Sequence, residues 1–379
     1  MTAPAYPAAR AVAATVEAHF AHHLASARKR GQQDLAPQPD ASVIEAIIDA
    51  AFWASLRREE SYAPKISLAL LPPEQAGQRL MLERRLPLAP DVLTRVAPAV
   101  ERPGIHLGVW RHQGGLYVWG ATRTIPTLCF VLQVLEPGLL VIKHRRSEES
   151  GKFANVAVLQ GDQVKVVDEQ SAGLSDCPAL LTSLLGFDSP ATWNDSVNVL
   201  VQLAVSMRAH GRGGLLLVVP PATTSWRESI VHPIPYSVVP PFSRLAELMR
   251  ENAEARDRSA WQDALRRSVD AVAGLTAVDG ATVISEQYDL LAFGAKIARR
   301  SGSAQVEQVI ATEPIVGGEP ALLNPGQLGG TRHLSAAQFV HDQPDAVALV
   351  ASQDGRFTVF AWSPCEQRVH AHRVETLLL

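Results

Sequence analysis

The spacing of apolar residues divides the chain into a helical lead, a strand-rich stretch and a half in which helices and strands alternate. In the Ala-rich start, Val12, Val16 and Phe20 recur at every fourth position, which predicts a helical packing arm over residues 1–39. Ser42 followed by Glu45 reads as a capping box. Behind it, Val43, Ile44, Ile47, Ile48, Ala51, Phe52 and Leu56 share one helical face, so an amphipathic helix is predicted there. From Lys65 the period drops to two, with Ile66, Leu68 and Leu70, then Leu80 and Leu82 after Pro72-Pro73. Further strand signals cover 105–111, 116–121, 127–134, 138–144, 153–159 and 164–168. Turn chemistry separates them at Gln113-Gly114-Gly115, Pro137-Gly138 and Gln160-Gly161-Asp162. Residues 40–180 therefore read as a strand-rich domain, a mostly antiparallel sheet or sandwich with one flanking helix and no evident role.

Beyond the polar patch 168–176 the pattern becomes α/β. A helix through Val197, Leu200, Val201, Ala204 and Val205 stops at Gly211, and the continuous apolar run 213–219 reads as a buried strand ended by Pro220-Pro221. Helical stretches follow at 242–254 and 259–272, then strands with a short helix near 335–341. The fold class is thus α/β with α+β character: a mixed sheet flanked by helices over 190–375, preceded by the strand-rich domain. A boundary is expected within 171–190.

Composition narrows the function classes. The 379 residues carry 35 Lys+Arg against 38 Asp+Glu, a net charge of −3, which lacks the basic face that non-specific nucleic-acid binding requires. Three distant cysteines (Cys129, Cys177, Cys365) form neither a metal spacing nor an even disulfide set. No apolar run approaches the roughly 20 residues of a membrane span, and Glu17, His19, His22 and His23 interrupt the N-terminal apolar stretch. The expectation is a cytoplasmic protein with no nucleic-acid or membrane partner.

Several features carry bland readings. The run His232-Pro233-Ile234-Pro235-Tyr236 with Pro240-Pro241 reads as a stiff surface loop. Trp110, Tyr117 and Trp119 fit cross-strand packing, and Arg57-Arg58-Glu59-Glu60 a solvated face. His370, His372 and Cys365 lack a fourth zinc ligand. Lys143, His144, Arg145 and Arg146 form a basic cluster, read as a loop tip or a contact for an acidic partner.

Candidate chemistry sits in two glycine-bearing elements of the second half. Asp279-Gly280-Ala281 is a turn that runs into the apolar strand Thr282-Val283-Ile284, and Gly329-Gly330-Thr331-Arg332-His333-Leu334 opens a helix. Glycine admits close backbone approach. First-turn N–H groups, a Thr hydroxyl, an Arg guanidinium and an imidazole suit a phosphate chain, and Asp279 suits a ribose hydroxyl or a metal.

These motifs, with Ser352-Gln353-Asp354 at the end of a later strand, resemble those of the diadenylate cyclase domain, which condenses two ATP molecules into cyclic di-AMP. The resemblance covers about residues 190–370. It implies a nucleotide-binding fold with Asp279 as catalytic residue, nucleotide contacts from Asp279, Gly280, Ala281, Gly330, Thr331, Arg332, His333 and Ser352, and Mg²⁺ or Mn²⁺ arriving with the nucleotide. It also implies a homodimer. Val278 stands where a histidine often precedes the turn, the 50-position connection from Ala281 to Thr331 is longer than the pattern's, and two charged positions are lost. Leu334 stands where a second arginine would hold phosphate, and Gln353 stands where a metal-binding carboxylate is expected, with Asp354 beside it as the candidate metal ligand. Each lost charged contact to a transition state costs about 3 kcal/mol, on the order of 10²–10³ in rate. The sequence therefore most resembles the family's degenerate, DACNV-type sensor branch. On that resemblance it binds an adenine nucleotide or cyclic dinucleotide with little or no catalysis; the alternative is an active diadenylate cyclase.

Overall fold

The computed structural model describes residues 5–145, 153–168, 195–251, 253–256 and 258–379. The expected boundary at 171–190, Cys177 and Arg146 lie outside the described residues. The chain divides into two compact units, Met1–Val167 with Leu379, and Asp168–Leu378. Both carry mixed α/β structure.

The first unit is built on one eight-stranded sheet in the order β2-β4-β3-β1-β5-β6-β7-β8. Its strands are β1 (Ile66–Leu70), β2 (Leu80–Pro87), β3 (His106–His112), β4 (Gly115–Thr122), β5 (Phe130–Glu136), β6 (Leu139–Arg145), β7 (Phe153–Gln160) and β8 (Gln163–Val166). β1 runs parallel to β3 and antiparallel to β5. All five β1 residues are buried, because helices cover one face and a smaller cluster around Trp119, Cys129 and Val131 covers the other. The larger Ile66, Leu68 and Leu70 face the helical core, and the small Ala69 faces the other cluster.

Helices α1 (Pro7–Lys29) and α2 (Ala41–Ser55) pack together, with the short α3 (Pro90–Val96) against α2. Phe20, Leu24, Ile44, Ile47 and Ile48 are fully buried with Leu132, Leu140 and Ile142 in one core. The expected arm is thus an integral core helix, and more than one helix flanks the single sheet. Nor does a capping box start α2. Asp40 is its N-cap and makes no side-chain cap; its carboxylate pairs with Arg111 instead. Lys143, His144 and Arg145 end strand β6, with His144 buried, so this group is not a loop tip.

The second unit holds a nine-stranded sheet, ordered β10-β12-β11-β9-β15-β16-β17-β13-β14. Helix α4 (Asp195–Ala209) ends at Gly211, whose φ of +65° is left-handed, and leads into β9 (Gly214–Val219). β10 (Tyr236–Phe242) is an edge strand paired with β12 (Leu290–Ala295), where a proline-rich loop was expected. Pro240 and Pro241 fall in the register irregularity between the Ser237 and Phe242 pairings, where a missing ladder donor is tolerated. Helices α5 (Arg244–Arg250) and α6 (Ser259–Leu275) then precede β11 (Ala281–Ser285), which pairs parallel with β9. β13 (Val309–Thr312) and β14 (Ala321–Leu323) form the far edge. Helix α7 (Thr331–Asp342) leads to β15 (Val347–Ala351), β16 (Phe357–Ser363) and β17 (Arg368–Arg373).

Two cores lie on opposite faces of this sheet. One packs Leu203, Met207, Val269 and Val272 of α4 and α6 against Leu216, Leu349 and Phe357. The other packs Ala336, Phe339 and Val340 of α7 against Leu217, Val350 and Phe360. Helices on both faces bury every residue of β9 and β11.

Candidate functional site

Strand direction gathers the sequence motifs at one end of the second sheet. β9 and β11 are parallel and both start there, at Gly214 and Ala281; β15 is antiparallel to β9 and ends there, with Ala351 opposite Gly214. The turn before β11 brings Asp279, and the first turn of α7 brings Thr331 and Arg332. The hairpin after β15 brings Ser352, Gln353 and Asp354.

Arg332 is the centre of this arrangement. Its Nη1 lies where a side chain on Gly213 would be, 2.8 Å from an ideal Cβ, with the Ala351 carbonyl and Gln353 Cγ at 3.3 Å from the same point. Gly213 also has φ +70°, so two independent constraints select glycine there. Gln353 Nε2 donates to the Arg212 carbonyl at 3.3 Å, tying the hairpin to the loop before β9. Arg332 and Arg212 form no ion pair with another described residue. His210 sits between these groups. Its Nδ1 accepts from the Arg212 N–H at 3.1 Å, and its Nε2 lies 3.2 Å from Thr276 Oγ1. Burial, then the Arg212 and Arg332 guanidinium charges, push His210 below its ordinary pKa.

Asp279 is exposed and its carboxylate accepts a hydrogen bond from Lys296. The Lys296 ammonium holds it below the usual carboxylate range, with Arg332 adding in the same direction. Gly280 answers a packing need: at φ +113°, a Cβ would stand 2.5 Å from the Gly294 carbonyl carbon. Ala281 is buried in β11. Of the Asp-Gly-Ala turn, Asp279 is thus the member with a side chain open to solvent.

The helix-opening motif separates by face. Gly330 is the N-cap of α7, with open space at its Cα, and Thr331 is exposed. His333 is placed in the core, only 1% exposed, with Nε2 3.3 Å from Thr358 Oγ1 and its ring edge-on to Phe360. Burial pushes its pKa down to about 4, so the imidazole is neutral at pH 7. Gly329 makes room for this ring, since a Cβ there would meet it at 2.3 Å. The expectation of His333 as a phosphate contact therefore meets a side chain packed inward. The signal was in the sequence: His333, Ala336, Ala337 and Val340 follow the spacing of the buried stripe. Leu334 is an exposed apolar residue on the first turn.

Ser352 is half-buried in the hairpin turn, its N–H bonded to the Arg356 carbonyl at 2.9 Å. Asp354 pairs with Arg356, Oδ2 to Nε 3.3 Å. Among the described residues no group of three or more His, Cys, Asp or Glu is arranged to hold a metal ion. His370 and His372, 5.7 Å apart, are buried in β17, and His372 Nδ1 lies 2.7 Å from Thr312 Oγ1. Sequence reasoning missed Lys296, Arg212 and His210, which join the site from strand and loop ends that bear no motif.

No described helix is long and apolar enough to cross a membrane. The comparison with curated proteins returns no match. Residues 33–123 match the family model described as "Probable sensor domain DACNV". The match falls wholly in the first unit, on the strand-rich stretch that the sequence left without a role, and not on the cyclase-like motifs. The likeness to a probable sensor domain thus belongs to residues 33–123 of the first unit.

Proposed function

We propose that the chain is a sensor protein whose second unit binds an adenine nucleotide or cyclic dinucleotide at the shared end of β9, β11 and β15, with little or no turnover. One observation carries the reading: Arg332, which forms no ion pair with another described residue, lies against Gly213 beside Gln353, and its charge reaches Asp279. Three motifs far apart in the chain thus lie together around a guanidinium, the group best suited to phosphate. Thr331 and the free N–H groups of the first turn of α7 add neutral donors. Asp279 is suited to a ribose hydroxyl, since its carboxylate stays ionised.

The same residues argue against efficient cyclisation. Leu334 has no donor and Gln353 no charge, and each missing contact removes about 3 kcal/mol of transition-state stabilisation. Mg²⁺ or Mn²⁺ fits only as a companion of the phosphates. Asp279 and Asp354 already hold Lys296 and Arg356, and a hard cation commonly combines one or two carboxylates with substrate oxygens. Turnover would further require two such units face to face, each supplying one nucleotide.

The test is incubation of the full chain with ATP and Mn²⁺, with products separated by chromatography and binding followed by equilibrium dialysis. ATP or cyclic di-AMP retained on the protein with no multiple-turnover product is the expected result. Sustained formation of cyclic di-AMP would replace the sensor reading by that of a working cyclase.

A further inference from the structure

The first unit contains a cavity of about 490 Å³, all of whose lining residues lie between Gln78 and Arg123, inside the matched sensor segment. Its origin is a double irregularity of the sheet. Met81 pairs with Gly120 and Leu86 with Val118, so five steps along β2 answer two along β4 and the edge strand arches away. Across β4, Gly108 pairs with Gly120 and Val109 with Val118, which leaves Trp119 as an extra residue. Its indole is buried on the opposite face, where Nε1 donates to the Leu71 carbonyl at 2.9 Å. Removing this large ring and arching β2 leaves a hollow walled by Leu82, Leu86, Ile105, Leu107 and Val118. Gly120 allows the remaining close pairing, because a Cβ there would stand 2.0 Å from the Leu80 carbonyl oxygen.

The walls are apolar and the rim is not. Arg123 is the one charged side chain among the lining residues, is exposed, and forms no ion pair or side-chain hydrogen bond with another described residue. Gln78, also at the lining, is exposed. A cavity of this size with apolar walls and one convergent cation is of the kind that binds small molecules. The apolar walls demand an apolar body, and a permanent cation beside them favours an anionic head. We propose that this cavity is the ligand site of the sensor domain and that it takes an amphipathic carboxylate of the medium-chain fatty-acid class. The proposal is independent of any nucleotide bound by the second unit.

The test is calorimetry on the full chain with hexanoate, octanoate, decanoate and decanol below their aggregation limits. Wild-type protein is expected to bind the carboxylates saturably, about fourfold more tightly per added methylene. Decanoate should exceed decanol by about fivefold, the scale of an exposed ion pair, and Arg123→Glu should erase that preference. Ala99→Phe, at an exposed lining position, should weaken every probe by filling the entrance. Circular dichroism and thermal melting confirm that both variants fold. The proposal falls if no probe binds, if affinity ignores chain length, or if Arg123→Glu and Ala99→Phe bind as wild type. It also falls if the chain self-associates through this face and so excludes the probes.

Discussion

Gly213 and Gly280 are both left-handed glycines beside the site, yet the atoms facing them differ. At Gly213 a new Cβ would meet the far end of the flexible Arg332 side chain; at Gly280 it would meet the Gly294 backbone. Gly213→Ala is therefore expected to cost about 1–2 kcal/mol from the backbone conformation alone and to weaken nucleotide binding by displacing the guanidinium. Gly280→Ala should cost more, because a strand backbone cannot swing aside. Urea unfolding of the two variants checks the order. His333 gives a pH signature. Unfolded, its imidazole titrates near 6.5; folded, near 4, so between these values the unfolded chain binds more protons. The contribution is complete above about pH 6.5 and is lost as pH falls towards 4. His333→Gln should lessen the stability lost between pH 7 and pH 5 by on the order of 1–2 kcal/mol, measured by urea titration at both values. Asp279 and Arg332 were legible because a turn dipeptide and a helix start announce exposed backbone. Lys296 and His210 were not, because only sheet register brings them near.

Helix starts show how a local signal can be right about an element and wrong about its chemistry. Ser42 and Glu45 mark α2 correctly, but its N-cap lies two residues earlier, at Asp40, which spends its carboxylate on Arg111. The short helix Pro325–Leu328, by contrast, has a formed capping box. Asn324 Oδ1 accepts from the Gly326 N–H at 2.9 Å and Gln327 Oε1 from the Asn324 N–H at 3.2 Å. Ser42→Ala should consequently change stability by less than about 0.5 kcal/mol, and Asn324→Ala should cost about 1 kcal/mol, as equilibrium denaturation can compare directly. The strands of the first unit were readable because turn residues separate them cleanly. β10 was not, since four prolines in ten residues imitate a loop and only the pairing with β12 shows an edge strand. The bulges that open the first unit's cavity were equally hidden, because alternation along β2 and β4 says nothing about how one strand is registered on the other.

On the scale of the whole chain, two units carry two kinds of evidence. Residues 33–123 of the first match a sensor-domain model, and the second gathers Asp279, Arg332 and Gln353 at one sheet end. The net charge of −3 conceals that division. Arg123 and Arg332 each form no ion pair with another described residue, one at an apolar cavity and the other at a sheet end beside Gly213. The sequence placed the sensor resemblance in the second half because the cyclase-like motifs lie there; the matched segment has no comparable polar motif to read. On the proposed function, Arg332 makes the sheet end a nucleotide site. Its most direct test is calorimetric titration of the full-length wild type and Arg332→Ala with ATP and with cyclic di-AMP. Saturable binding of at least one of them to the wild type, weakened about tenfold or more in the variant by loss of a charge-assisted contact, is the predicted result. Absence of binding at millimolar nucleotide, or equal affinity in the two proteins, would contradict it.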